Sequence, residues 1–348
     1  MEPPKTFLFG MTPNELKSVA VNAGLPVYAA RQIADWLYKK NITSIAEMTN
    51  IAGSKRIFLE EHYDIGLFQP VKRMVSSDET VKYLFPVGVG CFIETVLIPA
   101  DERTTLCVSS QIGCRMNCVF CQTGKQGFVR NLTTTEILNQ IRSVEESNKL
   151  SNIVFMGMGE PLDNTDVLLR VLEIITSPYG FGWSPKRITI STAGIIKGLK
   201  RFLDNSHCNL AISLHTPYPD ERRQLMPIEK TNPIKDIIKL IRQYDFSHQQ
   251  RVSFEYIMFD NKNDSAKHAK DLAKVLSGIP CRVNLIKYHA IPGVVLNGCS
   301  MKKMLLFREM LCSKGITCTI RTSRGEDISA ACGMLSTKTL KSSKEKTI

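Results

Sequence analysis

The sequence predicts an α/β fold whose core, from Thr104 onward, is a parallel sheet curved into a partial or full barrel. Two observations predict it. Six short β-rich runs, at 104–109, 153–156, 187–191, 209–214, 251–257 and 282–288, are separated by helical stretches such as 134–147 and 266–276. A chain that alternates strand and helix in this way brings each strand back parallel to the last, through right-handed crossovers. The second observation is positional. Residues with chemical potential, Glu160, Ser191 and His215 among them, fall at the ends of the strand runs, where β/α barrels collect their chemistry.

Upstream the pattern differs. Residues up to about Leu67 read as a small helical module. Thr12-Pro13-Asn14-Glu15 is a capping box with proline at the first helical position, and Gly24 ends the helix it opens. Pro26 precedes a second helix, with Ala30, Ile33, Ala34 and Leu37 as its apolar stripe. Two shorter helices follow around Ile45 and Ile57. Arg31, Lys39, Lys40, Lys55 and Arg56 make the module basic, either as a solvated face or as a nucleic-acid contact. At 71–75, 81–87 and 91–98 the runs become short and β-rich, broken at Ser77-Asp78-Glu79 and at 88–90; this is a meander leading into the core. The expected division is a helical accessory domain (1–70), a β-rich connection (71–99), the barrel core (100–335) and a basic flexible tail (336–348).

Composition narrows the function classes. No run is long and apolar enough to span a bilayer, and Met1-Glu2-Pro3-Pro4-Lys5 lacks the basic-then-apolar pattern of a secretion signal. The expectation is a cytoplasmic protein, where thiols stay reduced. Eleven cysteines is an odd number, and 348 residues is too long for a disulfide scaffold, so some thiols are expected to be functional. Lys plus Arg number 45 against 33 Asp plus Glu, a formal charge of +12. That excess favours a polyanionic partner, although a basic surface with no partner has the same composition.

The chain's chemistry is organised around Cys114-Arg-Met-Asn-Cys118-Val-Phe-Cys121, a C-x3-C-x2-C spacing. Thiolates are the ligands of iron–sulfur centres, and a 4Fe–4S cube ordinarily takes four of them. No fourth cysteine follows nearby, so one iron is left open to something other than protein. Zinc is the rival, but a structural zinc takes four N/S ligands, commonly as two C-x2-C pairs, and no second pair is present. Two further features stand out. Phe155-Met156-Gly157-Met158-Gly159-Glu160-Pro161 is a glycine-rich turn after a strand, which lets a ligand approach the backbone. Glu94 lies in an otherwise apolar run, which is costly unless it is paired, used or facing outward.

The cysteine block and its flanks carry a resemblance. Leu106-Cys107-Val108-Ser109-Ser110-Gln111-Ile112-Gly113 leads in, and Gln122-Thr123-Gly124-Lys125-Gln126-Gly127-Phe128-Val129-Arg130-Asn131-Leu132-Thr133 follows. The block resembles the cluster loop of the radical S-adenosylmethionine (SAM) enzymes, and with its flanks the RlmN/Cfr family of RNA adenine methyltransferases. The resemblance runs from roughly Lys72 to Leu335 and is looser in the N-terminal module. It implies a partial, six-stranded β/α barrel of the radical SAM type. It implies that Cys114, Cys118 and Cys121 hold one 4Fe–4S cluster whose open iron binds SAM. Gly159 and Glu160 match the family's GMGEP element, and Ser191, Ser213, Leu214 and His215 match its other SAM-contacting positions. His289 stands where the family usually has an Asn that contacts SAM. The resemblance implies that Cys332 carries a methyl group as S-methylcysteine, that Cys107 resolves the covalent intermediate through a transient disulfide, and that Glu94 accepts a proton. Cys91, Cys208, Cys281, Cys299, Cys312 and Cys318 match no catalytic motif and are expected to pack.

The activity so implied is methylation of adenine carbon 2 in RNA, with two SAM per turnover. Carbon 2 is electron-poor and offers no lone pair for a polar transfer, so the cofactor must supply a radical. The implied partners are 23S rRNA and tRNA, with an external electron donor such as flavodoxin or ferredoxin, and the enzyme is expected to act as a monomer. The segment 124–132 looks more like the C2 branch of the family than the C8 (Cfr-like) branch. Methylation at C8, a radical SAM enzyme acting on a non-RNA substrate, and an RNA-binding protein with a structural metal are the alternatives.

Overall fold

The computed structural model describes residues 5–246 and 252–336. Arg251, expected to open a strand, and all of the tail beyond Ser336 lie outside the described residues. The chain forms two compact units.

The first unit comprises Met1–Gln69, Thr133–Ser147 and Asp166–Ser184. Its helices Pro13–Asn22, Ala29–Tyr38 and Gly53–His62 and the 3-10 turn Ile45–Glu47 lie where the capping and apolar patterns put them. The Thr12 box closes, with Glu15 Oε2 accepting from the Thr12 N–H at 2.8 Å and its hydroxyl at 2.9 Å. Ala30, Ile33, Ala34 and Leu37 are buried, as the stripe requires. A short parallel ladder between Thr6–Phe7 and Tyr63–Asp64 joins the two ends of the module; two-residue strands leave no periodic signal to read. The helix expected over 134–147 ends at Arg142. Glu145 and Glu146 follow it, and acidic residues oppose the dipole at a helix C-terminus.

The second unit is organised on one ten-stranded sheet. Its parallel part runs in sequence order through Arg103–Cys107, Asn152–Phe155, Ile188–Thr192, Asn209–Ser213, Val252–Met258, Cys281–Lys287 and Thr317–Ile320. The first six are the strands expected. The seventh extends the parallel sheet beyond them, pairing Arg282↔Thr317 through Leu285↔Ile320. The meander strands Lys72–Val75, Val81–Pro86 and Phe92–Ala100 continue the same sheet antiparallel from the first parallel strand. The strand interiors are fully buried, for example Ile153, Ile190, Leu210, Phe254 and Val283 at 0% exposure, which is how a parallel sheet covered on both faces reads. Among the described residues no helix is long and apolar enough to cross a membrane.

A two-stranded antiparallel ladder, Gln111–Gly113 with Phe128–Asn131, closes the cysteine loop at its base. Gly113 has φ +72°, and a Cβ built on it would stand 1.7 Å from the Gly127 carbonyl oxygen. That oxygen accepts from the Cys114 N–H at 3.2 Å. Only glycine lets the two backbones approach this closely. Gly127 also has positive φ, +78°, but a Cβ there meets nothing within 4 Å. Gly127→Ala should therefore cost about 1 kcal/mol for backbone conformation alone. Gly113→Ala should cost at least ~2 kcal/mol more, because the backbones must also move apart. Denaturant unfolding of the two variants side by side checks this; equal losses would mean the close approach does not matter.

Candidate active site

The three thiols lie on the loop that this ladder closes. Asn117 takes the left-handed conformation at φ +50°, which Asn tolerates, and the Cys121 N–H donates to the Cys118 carbonyl at 3.1 Å. Cys114, Met116 and Phe120 form a buried apolar cluster with Ala193, Met226, Phe259 and Tyr288, and Cys118 and Cys121 pack against it. Burial pushes the Cys118 thiol well up, and Cys121, Cys114 and Glu160 push it further. Burial likewise pushes Cys114 up to about 12, with Glu160, Cys121 and Asp163 adding to the rise. The Cys114 and Cys118 thiols resist ionisation in this apolar site unless a cationic centre is present, and a bound metal deprotonates such thiols outright.

The donor set fits a cluster better than a single ion. A zinc shared by three thiolates holds its sulfurs about 3.8 Å apart, from Zn–S bonds of about 2.3 Å. Among the described residues only Asp260, Asp264 and Cys299 bring three such donor atoms within 4.8 Å of one another. The three loop thiols are not in that group, and three soft thiolates with no fourth N/S ligand on the loop suit an iron–sulfur cluster better than a structural zinc, which takes four. The Asp260–Asp264 group is itself bridged by the Lys303 ammonium, at 2.7 and 2.8 Å.

The strand ends facing the loop are built from buried polar groups. Gly159, with φ +101°, lies against Gln111, where a Cβ would meet the Gln111 Cβ at 2.5 Å. The Glu160 N–H donates to Gln111 Oε1 at 2.8 Å. The Glu160 carboxylate is buried and accepts from the Leu162 N–H (3.0 Å), the Thr192 hydroxyl (2.7 Å) and the Ala193 N–H (2.7 Å). Burial still outweighs these donors and pushes its pKa up to about 7. The site thus holds a carboxylate short of positive charge. Ser191 and Ser213 are half-buried, while Leu214 and His215 are buried. His215 has φ +60°, and its Nδ1 accepts from the Ile257 N–H at 3.0 Å, which leaves the ring proton on Nε2. Burial pushes its pKa down to about 3, helped by Arg222, so the ring is neutral.

Arg222 left no motif in the sequence. It is wholly buried, pairs with Glu229 at 2.5 Å, and donates to the Ala193 carbonyl (2.7 Å) and the Ser213 carbonyl (2.9 Å). One guanidinium thus ties together the ends of the third and fourth parallel strands, where Ser191 and Ser213 sit.

Cys107 and Cys332 are brought together from opposite ends of the core. Cys107 is buried at the end of the first parallel strand, opposite Val154. Burial pushes its thiol up to about 12, and Cys332 is close enough to raise it further. Cys332 is solvent-accessible, and the protein packed around its thiol raises its pKa. Its segment is fastened to the cysteine loop: the Gln122 N–H donates to the Gly333 carbonyl at 2.7 Å, and the Thr123 hydroxyl to the Leu335 carbonyl at 2.8 Å.

Glu94 faces inward, not outward. Its carboxylate pairs with Lys82 at 2.9 Å, both side chains being almost wholly buried, and accepts from the Ser336 N–H at 2.7 Å. Lys82 also donates to the Ser329 carbonyl at 3.3 Å. Sequence reading missed Lys82, although it is the charged residue in one apolar strand as Glu94 is in the next. The register pairs Leu84 with Glu94 and Lys82 with Val96, which makes the two charges diagonal neighbours. His289 Nε2 lies 2.8 Å from the Ser323 hydroxyl and its Nδ1 3.6 Å from Glu326. Burial lowers its pKa, against the pull of Glu326. Of the remaining cysteines, Cys208, Cys299 and Cys318 are buried, Cys91 and Cys281 half-buried and Cys312 exposed, so Cys312 does not pack in the core.

A β/α sheet with three thiols on the loop after its first strand, facing a buried carboxylate at the second, defines a radical SAM enzyme. Residues 108–273 match the model of the radical SAM superfamily, whose cofactors are a 4Fe–4S cluster and SAM. Residues 6–65 match the ribosomal RNA large subunit methyltransferase N-terminal domain. A probable dual-specificity RNA methyltransferase RlmN of Parabacteroides distasonis is 63% identical over 96% of this chain and 97% of its own. The dual-specificity RNA methyltransferase RlmN of Geobacter sulfurreducens is 41% identical over 94% and 91%. The crystal structure of a radical SAM methyltransferase from Sphaerobacter thermophilus superposes with a TM-score of 0.89, at 37% identity, covering 95% of this chain and 99% of that one. The chain belongs to the RlmN family.

Two outcomes follow from the site's electrostatics. Lys82→Met leaves the Glu94 carboxylate buried without its ammonium and should cost about 3–5 kcal/mol, whereas replacing both residues with apolar ones should cost much less; a double-mutant cycle in denaturant checks this. Glu160 has a folded pKa raised from 4.5 to about 7. Between those values the folded state holds the extra proton, so cofactor-free stability should fall as pH rises from about 4.5 to 7 and level off above. Glu160→Gln should flatten that decline, and an unchanged slope would mean Glu160 is not the group responsible.

Proposed function

We propose that this chain methylates carbon 2 of an adenine in RNA, using Cys332 as the carrier of the methyl carbon. The observation that carries this reading is the fastening of the Cys332 segment to the cysteine loop, with the Cys107 thiol beside it. RNA as substrate is supported by the relatives' name, by the match of residues 6–65 to a ribosomal RNA methyltransferase domain, and by the charge of +12. The specific RNAs, 23S rRNA and tRNA, are part of the proposal, as are action as a monomer in the cytoplasm and an external electron donor of the flavodoxin or ferredoxin kind.

Cys114, Cys118 and Cys121 would hold the cluster, and three protein ligands would leave it able to bind SAM. Bound there, SAM would supply radical chemistry to a methyl carbon carried on Cys332. The chain's residues do the rest. Glu160 offers a carboxylate to the ammonium of SAM, and that charge restores its ionised form. Gly159 lets the cofactor come close to the backbone. Ser191, Ser213, Leu214 and neutral His215 line the ends of the third and fourth strands, with Arg222 holding both in place; His289 borders the site from the sixth. Cys332 as a thiolate would first accept the methyl group of one SAM, with S-adenosylhomocysteine leaving, and then present that carbon to a base taken out of its stack, a cost that is lowest in looped RNA. After the adduct has lost its unpaired electron, which would return to the cluster, Cys107 helps remove the ring proton and its thiolate attacks the Cys332 sulfur; the sulfur–carbon bond breaks, its electron pair stays with the methylene carbon, and that carbon takes up a proton to become the methyl group as the disulfide forms. Glu94 serves as proton acceptor; protonating it would also weaken its hold on Lys82 and Ser336.

Mass spectrometry of nucleosides from RNA incubated with the reconstituted protein, SAM and reductant tests the reading, with 2-methyladenosine as the expected product. Cys332→Ala should yield neither product nor adduct. Cys107→Ala should still add to the base and then fail to release it, giving a nuclease-sensitive mass shift on the Cys332 peptide. Normal turnover by either variant would contradict these roles.

A further inference from the structure

We propose that Gln111 is a positioning residue for the amino-acid end of SAM. Its side chain fastens the Glu160 turn to the base of the cysteine loop, so that the carboxylate and the cluster keep one spacing. The proposal rests on the reading given above, in which Glu160 meets the ammonium of SAM.

Gln111 opens the short strand Gln111–Gly113, three residues before Cys114, and is 0% exposed. A buried amide is costly unless its polar groups are paired. Here they are paired on three different segments. Oε1 accepts from the Glu160 N–H at 2.8 Å. Nε2 donates to Asn131 Oδ1 at 2.9 Å, on the partner strand of the ladder. It also donates to Asp163 Oδ2 at 2.8 Å, in the 3-10 turn Pro161–Asn164. These partners fix which way the amide points, since a backbone N–H only donates and an ionised carboxylate only accepts.

The network returns to the cysteine loop through Asp163. Its Oδ2 lies 2.8 Å from Nε of Arg115, the residue after Cys114. The Arg115 guanidinium stands over the Phe128 ring, 3.9 Å from its centroid. Backbone bonds hold the glycine-rich turn as well: the Ser110 and Gln111 N–H groups donate to the Met158 carbonyl at 2.8 and 3.2 Å. Those bonds stop at Met158, whereas the Gln111 side chain takes the N–H of Glu160 itself. Thr192 and Ala193 hold the Glu160 carboxylate from the third strand. Gln111 holds the main chain that carries it from the side of the loop.

A ligand that spans two anchors binds tightly only while the anchors keep their spacing. The amino-acid end of SAM would span the cluster and Glu160. Removing the Gln111 amide leaves the Glu160 N–H without its acceptor and frees the turn to move. Affinity for the amino-acid end should suffer, and affinity for the adenosine end should not.

The test is anaerobic equilibrium dialysis of the full-length chain with its cluster loaded and oxidised, each variant first shown to carry about four irons. Two probes are compared. S-adenosylhomocysteine has the amino-acid end of SAM but no methyl group to transfer, and 5′-methylthioadenosine lacks that end. Gln111→Met, close in shape, should weaken S-adenosylhomocysteine about tenfold and 5′-methylthioadenosine less than about twofold. In a Glu160→Gln background, Gln111→Met should change S-adenosylhomocysteine binding by less than about twofold, because the residue acts through that carboxylate. Gln111→Asn keeps the amide but is too short to reach its three partners together. It should show the same selective loss and serves if the Met variant does not load its cluster. Equal losses for the two probes, no loss, or additive losses in the double variant would overturn the role of Gln111 while leaving Glu160 in place. Failure of both Gln111 variants to hold the cluster would overturn it too, as the mark of a purely structural residue. If Glu160→Gln alone leaves S-adenosylhomocysteine binding unchanged, the reading of Glu160 falls and this proposal with it.

Discussion

Two hydrogen bonds hold the C-terminal segment to the cysteine loop, from the Gln122 N–H to the Gly333 carbonyl and from the Thr123 hydroxyl to the Leu335 carbonyl. Much of the site depends on them. They place the residue that would carry the reacting carbon beside the residues that would hold the cluster. A radical that must be made at one centre and used at another needs a fixed, short path between them, and a misplacement of about 1 Å can cost a hundredfold in rate. The loop can serve as a docking surface because the Gly113 ladder closes it at the base. The segment can dock because Asp78 binds the Gly325 N–H at 3.0 Å, Lys82 the Ser329 carbonyl, and Glu94 the Ser336 N–H. The antiparallel meander is thus part of the site and not only a connection.

Charge in this site is distributed against the grain of burial. Glu94, Glu160, Glu229 and Glu255 are all nearly inaccessible. Three of them have a buried or half-buried cation: Lys82, Arg222 and Arg321 respectively for Glu94, Glu229 and Glu255. Glu160 has backbone and hydroxyl donors but no cation at hydrogen-bonding distance among the described residues, and it faces thiols that also resist ionisation. Structural carboxylates here are neutralised by the protein. The one left short of positive charge is the one that resemblance assigns to the ammonium of SAM.

What the sequence disclosed was local. The C-x3-C-x2-C spacing, the glycine-rich turn through Gly159 and the Thr12 capping box each lie within a dozen residues, and their chemistry is written in residue type and spacing. The six strands showed because buried parallel strands are continuous apolar runs. The seventh, Thr-Cys-Thr-Ile, is too short and too polar to announce itself and exists only because Cys281–Lys287 offers it an edge. Arg222, Lys82 and Arg321 were invisible for a related reason. Each is an ordinary basic residue until the fold brings a carboxylate from another strand or loop against it, and register and crossover geometry cannot be read from composition. Glu94 lay between these cases: its oddity was legible, its partner was not.

The central claim is that three thiols hold a cluster with one iron open to SAM. It is tested most directly by electron paramagnetic resonance of the anaerobically reconstituted, reduced protein, with and without SAM, alongside iron and zinc analysis. The account predicts about four irons per chain, as for a 4Fe–4S cube, and a reduced-cluster signal whose g-values shift when SAM is added. Stoichiometric zinc in place of iron, or a signal indifferent to SAM, would contradict it.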